Sequence, residues 1–211
     1  MIMEQEKYWD KASLTKDFTT PFKMDLFCKY VEKDHAVLDF GCGYGRVLAD
    51  LTKKGFGNLT GIDYSEDMIK RGHTLLSDVK LIHSDSGDLP FEDNSFDAVL
   101  LVAVLTCISS DDALLKTIDE IKRVLKKGGV LYINDFLLNS DERNIKRYEQ
   151  HLDKGPYGTF ELPDGALLRH FEKSKILDLL KHFKTITFDK VVFTTMNKNR
   201  SNGFTYMGSL E

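Results

Sequence analysis

An apolar run that ends in three glycines at alternate positions constrains this chain more than any other feature. The run extends from Ala36 to Phe40, and Gly41, Gly43 and Gly45 follow it directly. A helical pattern begins at once, so the stretch predicts a buried strand, a tight turn and the start of a helix. Glycines let a ligand lie against the backbone, and the N–H groups at a helix start favour a polar or anionic group. We therefore expect a nucleoside-like cofactor at the carboxyl edge of a parallel sheet.

Strand and helix patterns alternate along most of the 211 residues. The tract from Phe96 to Leu105 is apolar almost throughout, which is typical of a strand covered on both faces. Two strand patterns without a helix between them close the chain and predict an antiparallel hairpin. The sequence thus predicts an α/β fold with a doubly wound, Rossmann-like sheet that is mostly parallel and has an antiparallel last strand.

The length suits a single domain over residues 1–211. Residues 1–34 are predicted to form an N-terminal helical cap, in which Thr20 caps a helix that has Pro21 at its first position. The strand–helix rhythm breaks over residues 137–170, which we interpret as an insertion that covers a substrate. The Pro163-Asp164-Gly165 triplet predicts a hairpin turn within it.

The clearest helix pattern follows the long apolar strand. Ser109 or Ser110 is expected to cap this helix, and Gly128 and Gly129 are expected to end it. The spacing of its apolar residues predicts one buried stripe, formed by Leu114, Leu115, Ile118, Ile121 and Leu125.

Composition excludes several classes of function. The formal charge of −4 argues against a nucleic-acid partner, which requires a basic face. The three cysteines are far apart, so neither a disulfide framework nor a metal site is predicted, and a reducing, cytoplasmic setting is expected. No stretch is apolar enough to span a membrane, and the N-terminus has no secretion-signal pattern.

Four blocks stand in a familiar order over residues 36–135. They read VLDFGCGYGRVLADL, GIDYSEDMI, HSDSGDLPFEDNSFDAVLL and IKRVLKKGGVLYIND. Together they resemble the class I S-adenosylmethionine-dependent methyltransferases, in the group that modifies small molecules (methyltransferase domain 11-like). The resemblance implies a seven-stranded sheet whose last strand is antiparallel, S-adenosyl-L-methionine as cofactor, and a small-molecule substrate.

The resemblance also implies roles for individual residues. Asp39 and the backbone of Gly41 and Gly43 would hold the methionine part of the cofactor, and Asp63 would accept both ribose hydroxyls. The remaining expected contacts lie around the adenine and the pocket floor and involve Tyr64, Asp85, Ser86 and Val102. Each position also has a plainer interpretation, since an aspartate at a strand end often only caps the turn or helix that follows.

The sulfonium makes the methyl group electrophilic, so direct in-line displacement needs alignment and water exclusion more than it needs a general base. The sequence identifies no catalytic base, no methyl acceptor and no oligomeric state. Tyr8 and Trp9 in the cap and His170 beside the insertion are candidate substrate contacts. A cationic group in the insertion, which comprises Arg143, Lys146 and Arg147, would steer an anionic substrate or simply form a solvated helix face.

Two other functions fit the same pattern. A nicotinamide-dependent oxidoreductase also needs a glycine turn, but its fingerprint places the last glycine one residue further along than Gly45. A non-catalytic module that keeps the cofactor pocket for regulation or assembly fits as well, because no catalytic residue is identifiable.

Overall fold

The computed structural model describes residues 2–195 and 198–211, with residues 2–6 given by their backbone alone. Met1, the first residue of the predicted cap, lies outside the described residues. The strands are β1 Val37–Phe40, β2 Leu59–Asp63, β3 Lys80–His83, β4 Phe96–Val102, β5 Leu125–Phe136, β6 Thr159–Glu161, β7 Leu167–Arg169, β8 Phe183–Thr194 and β9 Arg200–Leu210.

Seven of these strands form one sheet in the order β3-β2-β1-β4-β5-β9-β8. Strands β1 to β5 are parallel to one another, and β9 is antiparallel to both of its neighbours. The predicted fold class is therefore confirmed, including the antiparallel last strand. The order reverses between β1 and β4, and in open α/β sheets that switch point is where a ligand crevice forms.

The helices are α1 Ile2–Ser13, α2 Met24–Phe27, α3 Arg46–Lys53, α4 Glu66–Leu75, α5 Asp111–Val124, α6 Glu142–Gln150 and α7 Lys173–Leu179. Helices α5 and α7 pack on one face of the sheet, whereas α2, α3 and α4 pack on the other. In residues 2–195 and 198–211 there is no helix with the length and hydropathy that a bilayer crossing requires.

Strand β4 lies at the centre of the sheet and is buried on both faces. Val99 and Leu101 point into the core under α5, while Ala98 and Leu100 point into the core under α3. The strand ends at Val102, three residues before the predicted end. There Ala103 takes a left-handed conformation, with φ of 60°, and the chain turns into a short 3₁₀ helix.

Helix α5 confirms one expectation and corrects two. Ser110 caps it, accepting a hydrogen bond from the Ala113 N–H. The helix ends at Val124 and not at the two glycines, because the chain passes directly into β5 at Leu125. Leu115 is 53% exposed, since it lies one residue round the helix from the buried stripe that starts at Leu114.

The predicted helix start at Thr20-Pro21 is wrong. Helix α2 covers only residues 24–27, and Lys23 precedes it. The reason is tertiary: the backbone of residues 18–23 bonds to side chains of the domain. The Phe18 N–H donates to the Tyr44 hydroxyl (3.1 Å) and the Lys23 N–H to the Tyr132 hydroxyl (2.9 Å). Residues 18–23 thus form an irregular segment, called the strap, whose backbone is hydrogen-bonded to the domain.

The segment 137–170 contains α6 and a separate two-stranded hairpin. Strands β6 and β7 pair antiparallel around the predicted Asp164-Gly165 turn. Helix α6 starts at a cap made by Asp141, whose side chain accepts from the Asn144 N–H (3.2 Å). The sequence predicted the hairpin turn, but not a capped helix in this segment.

A pair of neighbouring leucines tests how α5 contributes to stability. Replacing the fully buried Leu114 by alanine should cost about 2–5 kcal/mol of unfolding free energy, because the substitution leaves a cavity in the core. The matched change Leu115→Ala should cost under about 1 kcal/mol, since that side chain is mostly exposed. Urea unfolding measures both; equal losses would contradict this packing.

Candidate functional site

The turn after β1 depends on two glycines, because a side chain at either position would displace a neighbouring side chain. Gly41 and Gly43 have φ angles of 70° and 54°. A Cβ atom on Gly41 would lie 2.7 Å from a methyl group of Val104, and one on Gly43 would lie 2.6 Å from the Phe18 ring. The backbone of the turn therefore carries no side chain at these two positions, and Val104 and Phe18 pack directly beside it.

Asp63, at the end of β2, joins this turn to the next helix. Its Oδ2 accepts from the Gly43 N–H (2.8 Å), and its Oδ1 accepts from the Ser65 N–H (2.9 Å). Burial raises the pKa of the Asp63 carboxyl, while these two N–H bonds oppose the rise. Each oxygen keeps a second lone pair, so the carboxylate can still accept from a ligand.

Asp39, in β1, is a buried carboxylate of a different kind. It is 2% exposed, and no hydrogen bond reaches its oxygens from any residue that the structure describes. Burial raises its pKa to about 7; the charge of Asp63 adds to the rise and that of Arg46 opposes it. A buried, unbonded acid at a crevice is a strong acceptor for a ligand cation.

A cavity of about 1490 Å³ opens from this edge of the sheet. Asp39, Gly41, Gly43 and Asp63 lie on its wall. The other residues expected to hold the cofactor also line the cavity: Tyr64, Asp85, Ser86 and Val102. The structure thus brings the whole predicted cofactor set together, although Asp85 and Ser86 lie on an exposed loop after β3.

The cap and the 137–170 segment complete the cavity. Trp9 lines it, and its buried Nε1 has no hydrogen-bond partner. Tyr8 does not line it: its hydroxyl instead accepts from Lys16 (2.5 Å) and donates to Asp164 (3.4 Å), which ties α1 to the hairpin turn. Of the two aromatic residues predicted in the cap, only Trp9 faces the space where a substrate would bind.

His170 lines the cavity and is only 4% exposed. Its ring stacks on Phe136 at 5.3 Å between centroids, and its Nδ1 lies 2.8 Å from the Tyr148 hydroxyl and 3.2 Å from the Asn139 amide nitrogen. Burial lowers the pKa of His170 well below its usual value, and nearby arginine charges lower it further. The imidazole is therefore neutral at pH 7.

Asp135, at the end of β5, is a site residue that the sequence analysis missed. It is fully buried, and its carboxylate accepts from the N–H groups of Thr106 (3.2 Å) and Phe136 (2.8 Å). Burial raises its pKa to about 7. It holds the 103–107 turn, which lines the cavity, and its strand-end position was the available signal.

Comparison with known proteins decides the family. Residues 38–133 match a family described as a methyltransferase domain. An S-adenosylmethionine-dependent methyltransferase of Methanosarcina mazei superimposes with a TM-score of 0.82 at 26% identity, covering 88% of this chain and 98% of that one. Residues 38–133 therefore form a domain of this methyltransferase family, and the chain has the fold of an S-adenosylmethionine-dependent methyltransferase. S-Adenosyl-L-methionine is accordingly the cofactor of this domain.

Two further relatives show how far the likeness extends. A demethylmenaquinone methyltransferase of Staphylococcus aureus is 38% identical over 133 residues, which are 61% of this chain and 49% of the relative. The chain thus spans about half the length of the curated relatives it matches. The [4+2]-cyclase SpnF shares the fold, with a TM-score of 0.71, 16% identity and coverage of 99% of this chain and 94% of that one.

The unbonded carboxyl group of Asp39 makes the stability of the protein depend on pH. Because the pKa of Asp39 is about 7 in the folded state and near 3.8 otherwise, the folded protein binds the extra proton between these values. The unfolding free energy should therefore fall as pH rises from 4 to 7. Asp39→Asn should be more stable than the parent above pH 7, by at most ~4 kcal/mol at ~1.4 kcal/mol per pKa unit.

Urea unfolding at pH 4, 6 and 8 measures this difference. The gain from Asp39→Asn should be largest at pH 8 and fall to under ~1 kcal/mol at pH 4, where the folded parent acid is protonated and the unfolded one is about half protonated. The exposed Asp88→Asn serves as control and should change stability by under ~0.5 kcal/mol. A gain independent of pH would show that Asp39 is not the buried charge.

Proposed function

We propose that this protein transfers the methyl group of S-adenosylmethionine to a small-molecule acceptor bound in the 1490 Å³ cavity. The observation that carries the proposal is the continuity of this cavity. It runs from the glycine turn and the carboxyl ends of β1 and β2 to the wall formed by the 137–170 segment. Cofactor and acceptor can therefore lie in one continuous cavity.

The residues at the sheet edge suit the polar parts of such a cofactor. The unbonded carboxylate of Asp39 would bind the ammonium group of the methionine part, and the bare turn at Gly41 and Gly43 would lie against its chain. Asp63, already fixed by two N–H bonds, would accept from the ribose hydroxyls with its free lone pairs. Its structural bonds and this role are compatible and use different lone pairs.

The purine would lie along the loop after β3. Tyr64 follows Asp63 directly and would lie beside the ring, and Asp85 would accept from the amino group while the Ser86 N–H donates to a ring nitrogen. Val102, at the end of β4, would form the floor of the pocket. All four line the cavity next to Asp63.

Segments 1–34 and 137–170 are proposed as the substrate-binding cover over this domain. The cofactor supplies an electrophilic methyl group, so the protein has to align the acceptor in line with it and exclude water. Trp9, Phe18 and Phe160 line the cavity from these two segments and would exclude water from it. No proton transfer to a particular side chain is required by this proposal.

The demethylmenaquinone methyltransferase of Staphylococcus aureus does not identify the acceptor here. The alignment covers only 49% of that relative, and the family match, residues 38–133, does not include the 137–170 segment that walls the acceptor space. A module that binds the cofactor without turnover is the second candidate, because the cavity identifies no catalytic base. Release of S-adenosylhomocysteine with a panel of acceptors distinguishes the two.

Calorimetry with S-adenosylhomocysteine tests the cofactor site. The parent should bind it at micromolar levels and should not bind NAD. Asp63→Ala should weaken binding by ~2–3 kcal/mol, roughly 30- to 150-fold, because two hydroxyls lose a charged acceptor. The exposed Asp88→Ala is the matched control, and circular dichroism checks folding. Unchanged affinity in Asp63→Ala would place the ribose elsewhere.

The single tryptophan provides a second test. Because Trp9 lines the cavity with an unbonded Nε1, filling the cavity should shift or quench its fluorescence. Saturating S-adenosylhomocysteine should change the emission of the parent, and Trp9→Phe should remove the signal while keeping the calorimetric affinity within about twofold. Emission that stays constant at saturation would place α1 away from the occupied cavity.

A further inference from the structure

Helix α6 carries three cations to the cavity wall. Arg143, Lys146 and Arg147 are spaced three and four residues apart, so they share one helix face, and all three line the cavity. Two of them have carboxylate neighbours on their own helix: Lys146 lies 2.6 Å from Glu142, and Arg143 lies 3.8 Å from its capping Asp141. The third has none.

Arg147 is a partly buried cation without an anion. Its guanidinium lies 3.5 Å from the centroid of the Phe160 ring, and its Nε is buried without a hydrogen-bond partner. No carboxylate of the described residues lies within 4 Å of it. Elsewhere in the described chain Arg123 and Arg169 each bind a carboxylate, at 2.8 and 2.6 Å respectively.

This arrangement costs stability as long as the cation stays unpaired. Removing a charge from water is unfavourable unless a counter-charge or hydrogen bonds replace the solvent, and burial accordingly lowers the pKa of Arg147. The ring of Phe160, a hydrogen bond with the Tyr148 side chain and the charge of Asp141 offset only part of this cost. An anion that enters the cavity would supply the counter-charge that Arg147 lacks.

His170 offers a second donor beside the same ring. The Tyr148 hydroxyl accepts from the Asn139 N–H (3.3 Å), so its own proton is available to the His170 Nδ1, which lies 2.8 Å away. Nδ1 is thus an acceptor, and the proton of the neutral ring lies on Nε2. No described residue accepts from Nε2, and the imidazole meets Phe160 edge-on at 4.9 Å.

Much of the surrounding cavity wall is aromatic or aliphatic, and Gln150, Glu161 and Ser201 also line the cavity. Phe136, Phe160 and Phe193 form a connected aromatic wall through His170, with Phe136 and Phe193 at 5.4 Å between centroids. Leu162 and Leu168, from the hairpin, extend it. A ligand that fits here has an apolar or aromatic body and one anionic group.

We propose that the methyl acceptor is an apolar or aromatic acid whose carboxylate binds the Arg147 guanidinium and the His170 Nε2–H. The inference rests on the proposed methyl-transfer function and names its substrate class. The guanidinium presents paired donors that match a carboxylate, and the aromatic wall buries the body of the acid. The anionic end is thereby held on the wall formed by the 137–170 segment.

Calorimetry on the full chain saturated with S-adenosylhomocysteine tests this, with 2-naphthoate as probe and neutral 2-naphthamide as its isostere. The parent should bind 2-naphthoate saturably and at least about tenfold more tightly than the amide, because only the acid carries a charge. Arg147→Met, which keeps the length of the side chain and removes the charge, should reduce the affinity for the acid to that for the amide.

Arg200→Met is the matched control, since Arg200 is exposed at the start of β9 and does not line the cavity. It should leave both affinities unchanged, and Arg147→Lys should restore part of the preference for the acid. Equal affinities for acid and amide in the parent, an unaffected Arg147→Met, or no saturable binding of 2-naphthoate would each overturn the proposal.

The same titrations separate this inference from the proposed function. If S-adenosylhomocysteine binds and 2-naphthoate does not, the substrate class is wrong while the cofactor site stands. If S-adenosylhomocysteine fails to bind, the proposed function fails, and the preference of the unliganded protein for 2-naphthoate over 2-naphthamide still decides whether Arg147 and His170 form an acid-binding subsite.

Discussion

The two N–H bonds to the Asp63 carboxylate are the interaction on which the site depends. They fasten the turn after β1 to the start of α4, and so they set the edge where the sheet order reverses. The charge of Asp63 is tolerated inside the protein because both oxygens are hydrogen-bonded. The glycines of the turn make this possible, since a side chain at Gly43 would displace Phe18.

The cover over this edge is held by the domain and not by its own secondary structure. Residues 18–23 have little regular structure, and buried hydroxyl groups of Tyr44 and Tyr132 bond to their backbone. Helix α1 adds contacts of its own, because Asp10 accepts from the Ser65 hydroxyl at the cap of α4 (2.6 Å). Cap and cofactor edge thus share the N-terminus of α4.

Two charged side chains that line the cavity lack a counter-group among the described residues. Asp39 has no hydrogen-bond donor at one end of the cavity, and Arg147 has no carboxylate at the other. Each of these unpaired charges lowers the stability of the fold, and charges of this kind are typical of sites that bind ligands. The opposite signs indicate opposite ligand groups, a cation near the sheet edge and an anion at the 137–170 wall.

Local patterns determined much of this protein. The apolar strands, the glycine turn, the Ser65 and Ser110 caps and the order of elements were all predictable, because each depends on residues near one another in sequence. The same holds for the cofactor set around Asp39 and Asp63, since the carboxyl ends of parallel strands necessarily meet at one edge. The family resemblance added the roles that these positions are expected to have.

Tertiary structure decided the rest. Leu115 satisfies the helical period yet faces solvent, because the position of the sheet and not the period sets the buried face. The strap at residues 18–23 loses its predicted helix because side chains distant in sequence bind its backbone. Nothing local shows that Trp9 and not Tyr8 faces the cavity, or that Arg147, unlike Arg143 and Lys146, lies away from a carboxylate. Both outcomes depend on how separate segments pack, which is decided only when the chain folds.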